Sequence, residues 1–160
     1  MPSAALELLA EDVEATLAVA ERVAAQLGPG DVVALVGELG AGKTRFVAGA
    51  CRGLGYRGRV RSPSFTLLNI YRGDRVIYHF DLYRWSPGEH ASDLAEWEER
   101  MDGDGVTFIE WAERLGAALP ERAWRVTLAF AGENARRITL EAPGASRAAL
   151  EAALASWGLR

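Results

Sequence analysis

Apolar residues recur along this chain with two periods, one typical of helices and the other of strands. In residues 12–27 they are spaced three and four apart, which predicts an amphipathic helix that ends at Gly28-Pro29-Gly30. Val32–Val36 is a continuous apolar run, as expected for a strand covered on both faces. Residues 6–8 predict a short strand before this helix, and residues 43–54 predict a second helix.

The rest of the chain predicts two hairpins, a further buried strand and two more helices. The buried strand, residues 106–109, is uniformly apolar and is expected to be a parallel neighbour of Val32–Val36. The predicted ranges are 66–71 with 75–80 and 123–130 with 137–141 for the hairpins, and 87–101 and 145–157 for the helices. Together these elements predict a three-layer α/β fold with a central mixed sheet, in a single domain spanning residues 1–160.

Residues 37–44 match in full the phosphate-binding pattern G-x-x-x-x-G-K-[ST]. They lie between a predicted strand and a predicted helix, the context that this pattern requires, so the fold is predicted to be P-loop NTPase-like. Glycines let backbone N–H groups turn toward phosphate oxygens, the helix N-terminus adds partial positive charge, and the Thr44 hydroxyl can bind Mg²⁺. The predicted nucleotide-binding residues here are Glu38, Leu39, Gly40, Ala41, Gly42, Lys43, Thr44 and Arg45.

Lys43 is the only lysine among 18 basic residues. A compact ammonium on a thin stem fits a cradle of backbone N–H groups and reaches the β- and γ-phosphates as a point charge, which a planar guanidinium would not do. Lys43 is therefore a candidate catalytic residue. Ras-like GTPases typically read guanine with a lysine in an N-K-x-D element, and this sequence has no second lysine, so we predict ATP rather than GTP.

Two apolar segments run directly into an acid. They end at Asp81 and Glu110, and strand ends of this kind supply the carboxylates that bind the metal or hold its water in phosphate-loop proteins. We favour Glu110 for the metal, together with Thr44, and Asp81 for positioning water or for catalysis. The sequence leaves open which of the two acids holds Mg²⁺ directly.

Composition excludes few classes of protein. The chain has 160 residues, 49% hydrophobic and 25% charged, and its formal net charge of -4 disfavours non-specific nucleic-acid binding. The first twelve residues carry acids rather than a basic segment, and the apolar runs are too short to span a bilayer. We expect a cytoplasmic protein in which the single cysteine, Cys51, is a buried apolar group.

Four segments of the chain resemble one family, the TsaE family of small bacterial ATPases in tRNA threonylcarbamoyladenosine biosynthesis. Residues 37–44 resemble its phosphate loop, and Ile109-Glu110-Trp111 resembles its late E-W pair. Residues 62–66, S-P-S-F-T, resemble its S-P-T-[FY]-T element, and residues 79–84, H-F-D-L-Y-R, resemble its H-x-D-x-Y-R signature. The resemblance spans residues 31–121, more than half of the chain.

The resemblance implies an ATPase that binds Mg²⁺ through Thr44 and Glu110, needs Asp81 for activity and turns over slowly on its own. It implies two partner proteins, of the TsaB and TsaD type, with which threonylcarbamoyl is placed on adenosine 37 of tRNA, so that tRNA is met only through the complex. In the family, the segment near the first helix approaches the adenine, and Thr16 is the candidate here. Glu38, Arg45 and Ser64 stand where the family usually has aspartate, threonine and threonine.

Two other classes of function share the phosphate loop. A small-molecule kinase of the nucleoside- or shikimate-kinase type has a similar length, and the arginines of residues 57–61 could form its lid. Against a kinase, residues 62–66 lead into a hairpin that a compact kinase does not need there. A nucleotide-dependent interaction module would differ from an ATPase only in its negligible turnover.

Overall fold

A mixed seven-stranded sheet runs through the part of the chain that the structure, a computed structural model, describes: residues 5–86, 88 and 93–158. Its strands are β1 (Leu6–Ala10), β2 (Val32–Val36), β3 (Leu68–Arg72), β4 (Val76–Asp81), β5 (Val106–Glu110), β6 (Trp124–Phe130) and β7 (Arg136–Glu141). They are ordered β1-β7-β6-β2-β5-β4-β3, with β6, β2, β5 and β4 parallel and the outer pairs antiparallel. Both hairpins and the parallel pairing of β5 with β2 are confirmed.

The α-helices whose bounds are described are α1 (Val13–Ala24), α2 (Lys43–Gly53), α3 (Leu94–Met101) and α4 (Gly144–Ala153). Two 3₁₀ segments, Ala112–Ala118 and Ala155–Trp157, accompany them. Helix α1 begins where predicted because the Asp12 carboxylate accepts a hydrogen bond of 2.8 Å from the Ala15 N–H, which caps the helix. Of the predicted helix 87–101, residues 87 and 89–92 lie outside the described residues. No described helix has the length and apolar character needed to cross a bilayer.

Two hydrophobic cores cover the two faces of the sheet, which gives the predicted three layers. In β2, Val33 and Leu35 pack into the core beneath α1 and α2, whereas Val32 and Ala34 pack into the core beneath α3 and the segment Ala112–Ala118. Successive residues of a strand point to opposite faces, and both sets are buried, so β2 is apolar throughout. The single-domain organisation stays a prediction.

Cys51 lies in the first core, on α2, and is fully buried. Burial raises the pKa of its thiol to about 12, because a thiolate would be desolvated there. The expectation that Cys51 is a buried apolar group is confirmed.

The parallel register brings the ends of three strands to one edge of the sheet. Glu110, the last residue of β5, is paired with Asp81 at the end of β4 and with Leu35 near the end of β2. The glycine-rich loop leaves β2 at the same edge. In open α/β sheets this carboxyl edge is where ligands bind.

Helix α2 approaches α1 closely because Gly49 has no side chain. A Cβ added at Gly49 would lie 2.6 Å from the carbonyl oxygen of Leu17 and 2.9 Å from the Cβ of Ala20. Since these are backbone and short side-chain atoms, they cannot move aside without shifting a helix. The close contact holds the part of α1 from Leu17 to Ala20 against α2.

Gly49→Ala is expected to lower the free energy of unfolding by about 1 to 3 kcal/mol, because the new methyl group overpacks the contact between α1 and α2. Gly144→Ala is the matched control, since a Cβ there meets no atom within 4 Å, and it should leave stability unchanged or raise it by up to about 1 kcal/mol. Urea denaturation of both variants measures this. Equal stability of Gly49→Ala and the wild type would contradict the packing argument.

Candidate functional site

The glycine-rich loop turns directly into α2. Gly42, the residue before the helix, has φ 105°, a left-handed conformation that glycine adopts without strain. The N–H groups in the first turn of α2 have no carbonyl partners within the helix, so they remain available to an anion, together with the partial positive charge of the helix end. The local geometry is that of a phosphate-binding loop.

A cavity of about 710 Å³ opens beside this loop. Most of the residues predicted from the sequence line it: Leu39, Gly40, Gly42, Lys43, Thr44, Arg45, Asp81 and Glu110. The structure therefore brings together the loop, the first turn of α2 and both acids. A second cavity, of about 650 Å³, lies at the amino end of β6 beside Trp124 and Glu141, and none of these predicted residues lines it.

The Lys43 side chain is only 5% exposed and lies within the loop. Its ammonium donates hydrogen bonds to the carbonyl oxygens of Gly37 and, at 3.0 Å, Glu38, and it lies 4.2 Å from the centre of the Trp111 ring. Burial lowers the pKa of Lys43 below its usual value, and the carboxylates of Glu110, Glu113 and Asp81 oppose this shift. The site thus holds a partly desolvated positive charge.

Glu110 connects the phosphate loop to the sheet. Its two carboxylate oxygens lie 2.8 and 3.0 Å from the Thr44 hydroxyl, which donates to them. The Nε2 of His79, a fully buried residue, lies 2.5 Å from the same carboxylate, and the Nδ1 of His79 lies 3.0 Å from the Tyr71 hydroxyl. Tyr71 in turn donates to the carbonyl of Arg61 at 3.1 Å. The predicted metal pair Thr44 and Glu110 is therefore in contact, and His79 orients it.

Asp81 is paired with Glu110 across β4 and β5 but has different hydrogen-bond partners. Its carboxylate accepts hydrogen bonds from the hydroxyl of Ser62 and, at 2.9 Å, from the N–H of Tyr83. The Ser62 hydroxyl lies 3.0 Å from that of Ser64. Asp81 thus connects the sheet to the segment 62–64, whereas Glu110 connects it to the phosphate loop.

Trp111 follows Glu110 in a left-handed conformation, with φ 58°. This conformation is unfavourable for a residue with a side chain, by about 1 to 3 kcal/mol, and such strain is concentrated at functional sites. It turns the chain out of β5 with the indole ring lying against the Lys43 ammonium. Trp111 is therefore part of the site, although its ring is partly buried against the second core as well.

Three predicted nucleotide-binding residues lie outside the lining of the cavity. Glu38 is exposed on the loop and contributes its carbonyl to Lys43, and Ala41 is fully buried beneath the loop. Thr16 is 2% exposed in α1, and its neighbour Leu17 lines the cavity instead. The adenine contact assigned to Thr16 stays a prediction.

Sequence reasoning missed Tyr71 and Arg136. Tyr71 forms the outer end of the chain of hydrogen bonds that reaches Glu110 through His79. Arg136, 9% exposed, donates from Nε to the carbonyl of Ala41, inside the phosphate loop, at 2.9 Å. Arg136 lies just before the predicted strand 137–141, in phase with the buried residues Ile138 and Leu140, and this phase is the signal that could have identified it.

Comparison with known proteins gives consistent matches. A family model described as "Threonylcarbamoyl adenosine biosynthesis protein TsaE" matches residues 10–138. The "tRNA threonylcarbamoyladenosine biosynthesis protein TsaE" of Bacillus subtilis (strain 168) is 40% identical over 132 residues, 82% of this chain and 82% of that protein. The protein of the same name from Treponema pallidum (strain Nichols) is 42% identical over 71% of this chain and 84% of its own length.

One solved structure extends the match to the fold. The crystal structure of Bacillus subtilis YdiB superposes with a TM-score of 0.80 at 32% sequence identity, covering 98% of this chain and 97% of that one. The similarity includes the sheet and the elements that carry the cavity, because almost the whole of each chain is superposed.

Because the pKa of Lys43 is lowered in the folded protein, the free energy of unfolding is expected to depend on pH through this residue. Between the folded-state pKa and the ordinary value of 10.5, the unfolded chain binds more protons at Lys43 than the folded chain does, so the contribution of Lys43 to the free energy of unfolding rises with pH. Below the folded-state pKa, Lys43 is protonated in both states, and the folded protein bears the full cost of burying the charge. We therefore expect the stability of Lys43→Met, relative to the wild type, to fall as the pH rises through the alkaline range toward 10.5.

Urea denaturation of both proteins at each pH measures this difference, and titrations elsewhere in the chain cancel in the comparison. A difference that is constant over this range would show that burial does not perturb Lys43.

Proposed function

We infer that this chain, which belongs to the TsaE family of threonylcarbamoyl adenosine biosynthesis proteins, binds and hydrolyses ATP as a component of the machinery that makes tRNA N6-threonylcarbamoyladenosine. The observation that carries this proposal is the contact between Thr44 and Glu110 beside the buried ammonium of Lys43. It places a hydroxyl, a carboxylate and a positive charge at the N-terminus of α2, where a polyphosphate and its metal ion would bind.

The donor set at Thr44 and Glu110 fits Mg²⁺. Magnesium prefers oxygen ligands and is usually bound through one or two carboxylates plus phosphate oxygens and water. The Thr44 hydroxyl and the Glu110 carboxylate are already within hydrogen-bond distance, so a small hard cation can take both. When bound, Mg²⁺ would neutralise the charge that develops on the phosphates. His79, fixed between Tyr71 and Glu110, keeps the carboxylate turned toward Thr44.

The proposed reaction divides the remaining roles between Lys43 and Asp81. In hydrolysis a water oxygen bonds to the γ-phosphorus while the bond to the β–γ bridging oxygen breaks, which releases ADP and phosphate. Lys43 stabilises the charge on the β- and γ-phosphates. Asp81, a carboxylate lining the cavity and hydrogen-bonded to Ser62, orients the attacking water and accepts its proton.

Family membership favours this proposal over the small-molecule kinase. The arginines of residues 57–61 are exposed, and the carbonyl of Arg61 accepts hydrogen bonds from Tyr71 and from Asn69 at 3.1 Å each. These hydrogen bonds hold the end of the segment 57–61 against β3. A mobile kinase lid would have to break them.

We propose a cytoplasmic location and ATP as the nucleotide, with adenine bound near Leu17 and Thr16.

Variants of the three candidate catalytic residues test the proposal. Lys43→Ala is expected to weaken ATP binding by about tenfold or more, because a charge-assisted contact to the phosphates is lost. Asp81→Asn and Glu110→Gln keep the shape of each side chain and should retain much of the binding while lowering kcat by about 100-fold or more. Calorimetric titration and a phosphate-release assay measure the two quantities.

Asp104→Asn is the control for these variants, because Asp104 is an exposed acid on the turn before β5, away from the cavity. Its binding and turnover should equal those of the wild type. Wild-type turnover in both Asp81→Asn and Glu110→Gln would contradict the roles assigned to these two acids. Absence of ATP binding by the wild type would contradict the proposed function itself.

The partner proteins provide a separate test. We expect slow ATP hydrolysis by the isolated chain and a severalfold rise when purified partners of the TsaB and TsaD type are both added. Asp81→Asn should show no such rise. Brisk phosphorylation of a small metabolite by the chain alone, with no response to the partners, would support the kinase instead.

A further inference from the structure

Arg136 contacts the phosphate loop from outside the cavity. Its Nε donates to the carbonyl of Ala41 at 2.9 Å, and its Nη2 lies 3.5 Å from the carbonyl of Gly40. The remaining nitrogen, Nη1, donates to the carbonyl of Ala135 at 2.8 Å and lies 3.3 Å from those of Gly132 and Glu133. The guanidinium thus connects the loop to the turn between β6 and β7.

The direction of these bonds matters because a trans peptide unit is planar. The carbonyl of Ala41 and the N–H of Gly42 belong to one such unit and point in opposite directions. When Arg136 holds the carbonyl on the outer side, the N–H of Gly42 is turned to the inner side, where Gly42 lines the cavity. The Ala41 N–H, in the peptide unit that joins Gly40 to Ala41, donates instead to the Glu38 carbonyl at 3.0 Å.

The positive charge of Arg136, like its hydrogen bonds to the loop, favours an anion at the phosphate loop. Its hydrogen-bond partners in the described part of the chain are all main-chain carbonyls, so no carboxylate neutralises it there. Its guanidinium lies 4.6 Å from the centre of the Phe130 ring and is largely shielded from water. A positive charge in such surroundings interacts with a nearby anion more strongly than an exposed one.

We propose that Arg136 is a positioning residue of the phosphate site: it orients the backbone of the loop so that the Gly42 N–H points toward the phosphates. The proposal deepens the proposed function and rests on it, because it assumes that the cavity binds a nucleoside triphosphate. Arg136 acts through the loop and does not itself line the cavity.

Three variants of the full-length chain test this role. Arg136→Met removes the donors and the charge but keeps a stem of similar shape, and Arg136→Lys keeps the charge without the planar fork. Arg137→Met is the matched control, because Arg137 is the next residue, its side chain is 52% exposed and it pairs with Glu7 on β1 at 3.0 Å. Each protein is titrated calorimetrically with ATP and with tripolyphosphate, and its melting temperature is measured without ligand.

We expect Arg136→Met to lower the affinity for ATP and for tripolyphosphate by the same factor, about tenfold or more. The two factors should be equal because tripolyphosphate has no base and its affinity depends on the loop alone. Arg136→Lys should fall between Arg136→Met and the wild type, and Arg137→Met should match the wild type. If Arg136→Met does not fold, weakened binding by a folded Arg136→Lys supports the proposal, and wild-type affinity in that variant overturns it.

Wild-type affinity in Arg136→Met would overturn the proposal, as would equal weakening by Arg137→Met. Loss of ATP affinity with unchanged tripolyphosphate affinity would also overturn it, because the effect would then lie at the base. If the wild type binds neither ligand, the proposed function fails as well, and this outcome is distinct from all the others.

Discussion

The burial of one ammonium group is the constraint on which the site depends. Lys43 is 5% exposed at the start of α2, where the helix end already contributes partial positive charge, and its pKa is lowered by the loss of water. Carbonyls of the loop and nearby carboxylates partly offset this. A polyphosphate suits the site because it brings negative charge to a positive charge that water no longer solvates.

The parallel part of the sheet places the acids that balance this charge. Asp81 and Glu110 are paired at the ends of neighbouring strands, yet each carboxylate is held by different groups. Glu110 is held by Thr44 and His79, whereas Asp81 is held by Ser62 and the backbone of Tyr83. Two carboxylates at adjacent positions can therefore take different roles, because one is fixed to the phosphate loop and the other to the segment that faces it.

The sequence predicted most of the fold and the centre of the site, since these depend on local patterns. Apolar runs identified β2 and β5, and the motif identified Lys43 and Thr44. Contacts between distant segments could not be predicted, because hydrophobic periodicity reports which face is buried and not which atoms meet there. Arg136 shows this: it is in phase with the buried residues of β7, but its contact with Ala41, 95 residues earlier, depends on the order of the strands.

Lys43 and Arg136 show why the chain uses different cations on the two sides of one loop. On the inner side, a single ammonium fits between the loop carbonyls and the Trp111 ring, where a planar guanidinium would fill the space that phosphate needs. On the outer side, carbonyls from the loop and from the β6–β7 turn are spread over a wider area, which a rigid fork can span and an ammonium cannot. The sole lysine of an arginine-rich chain is therefore placed where only a compact charge leaves room for a ligand.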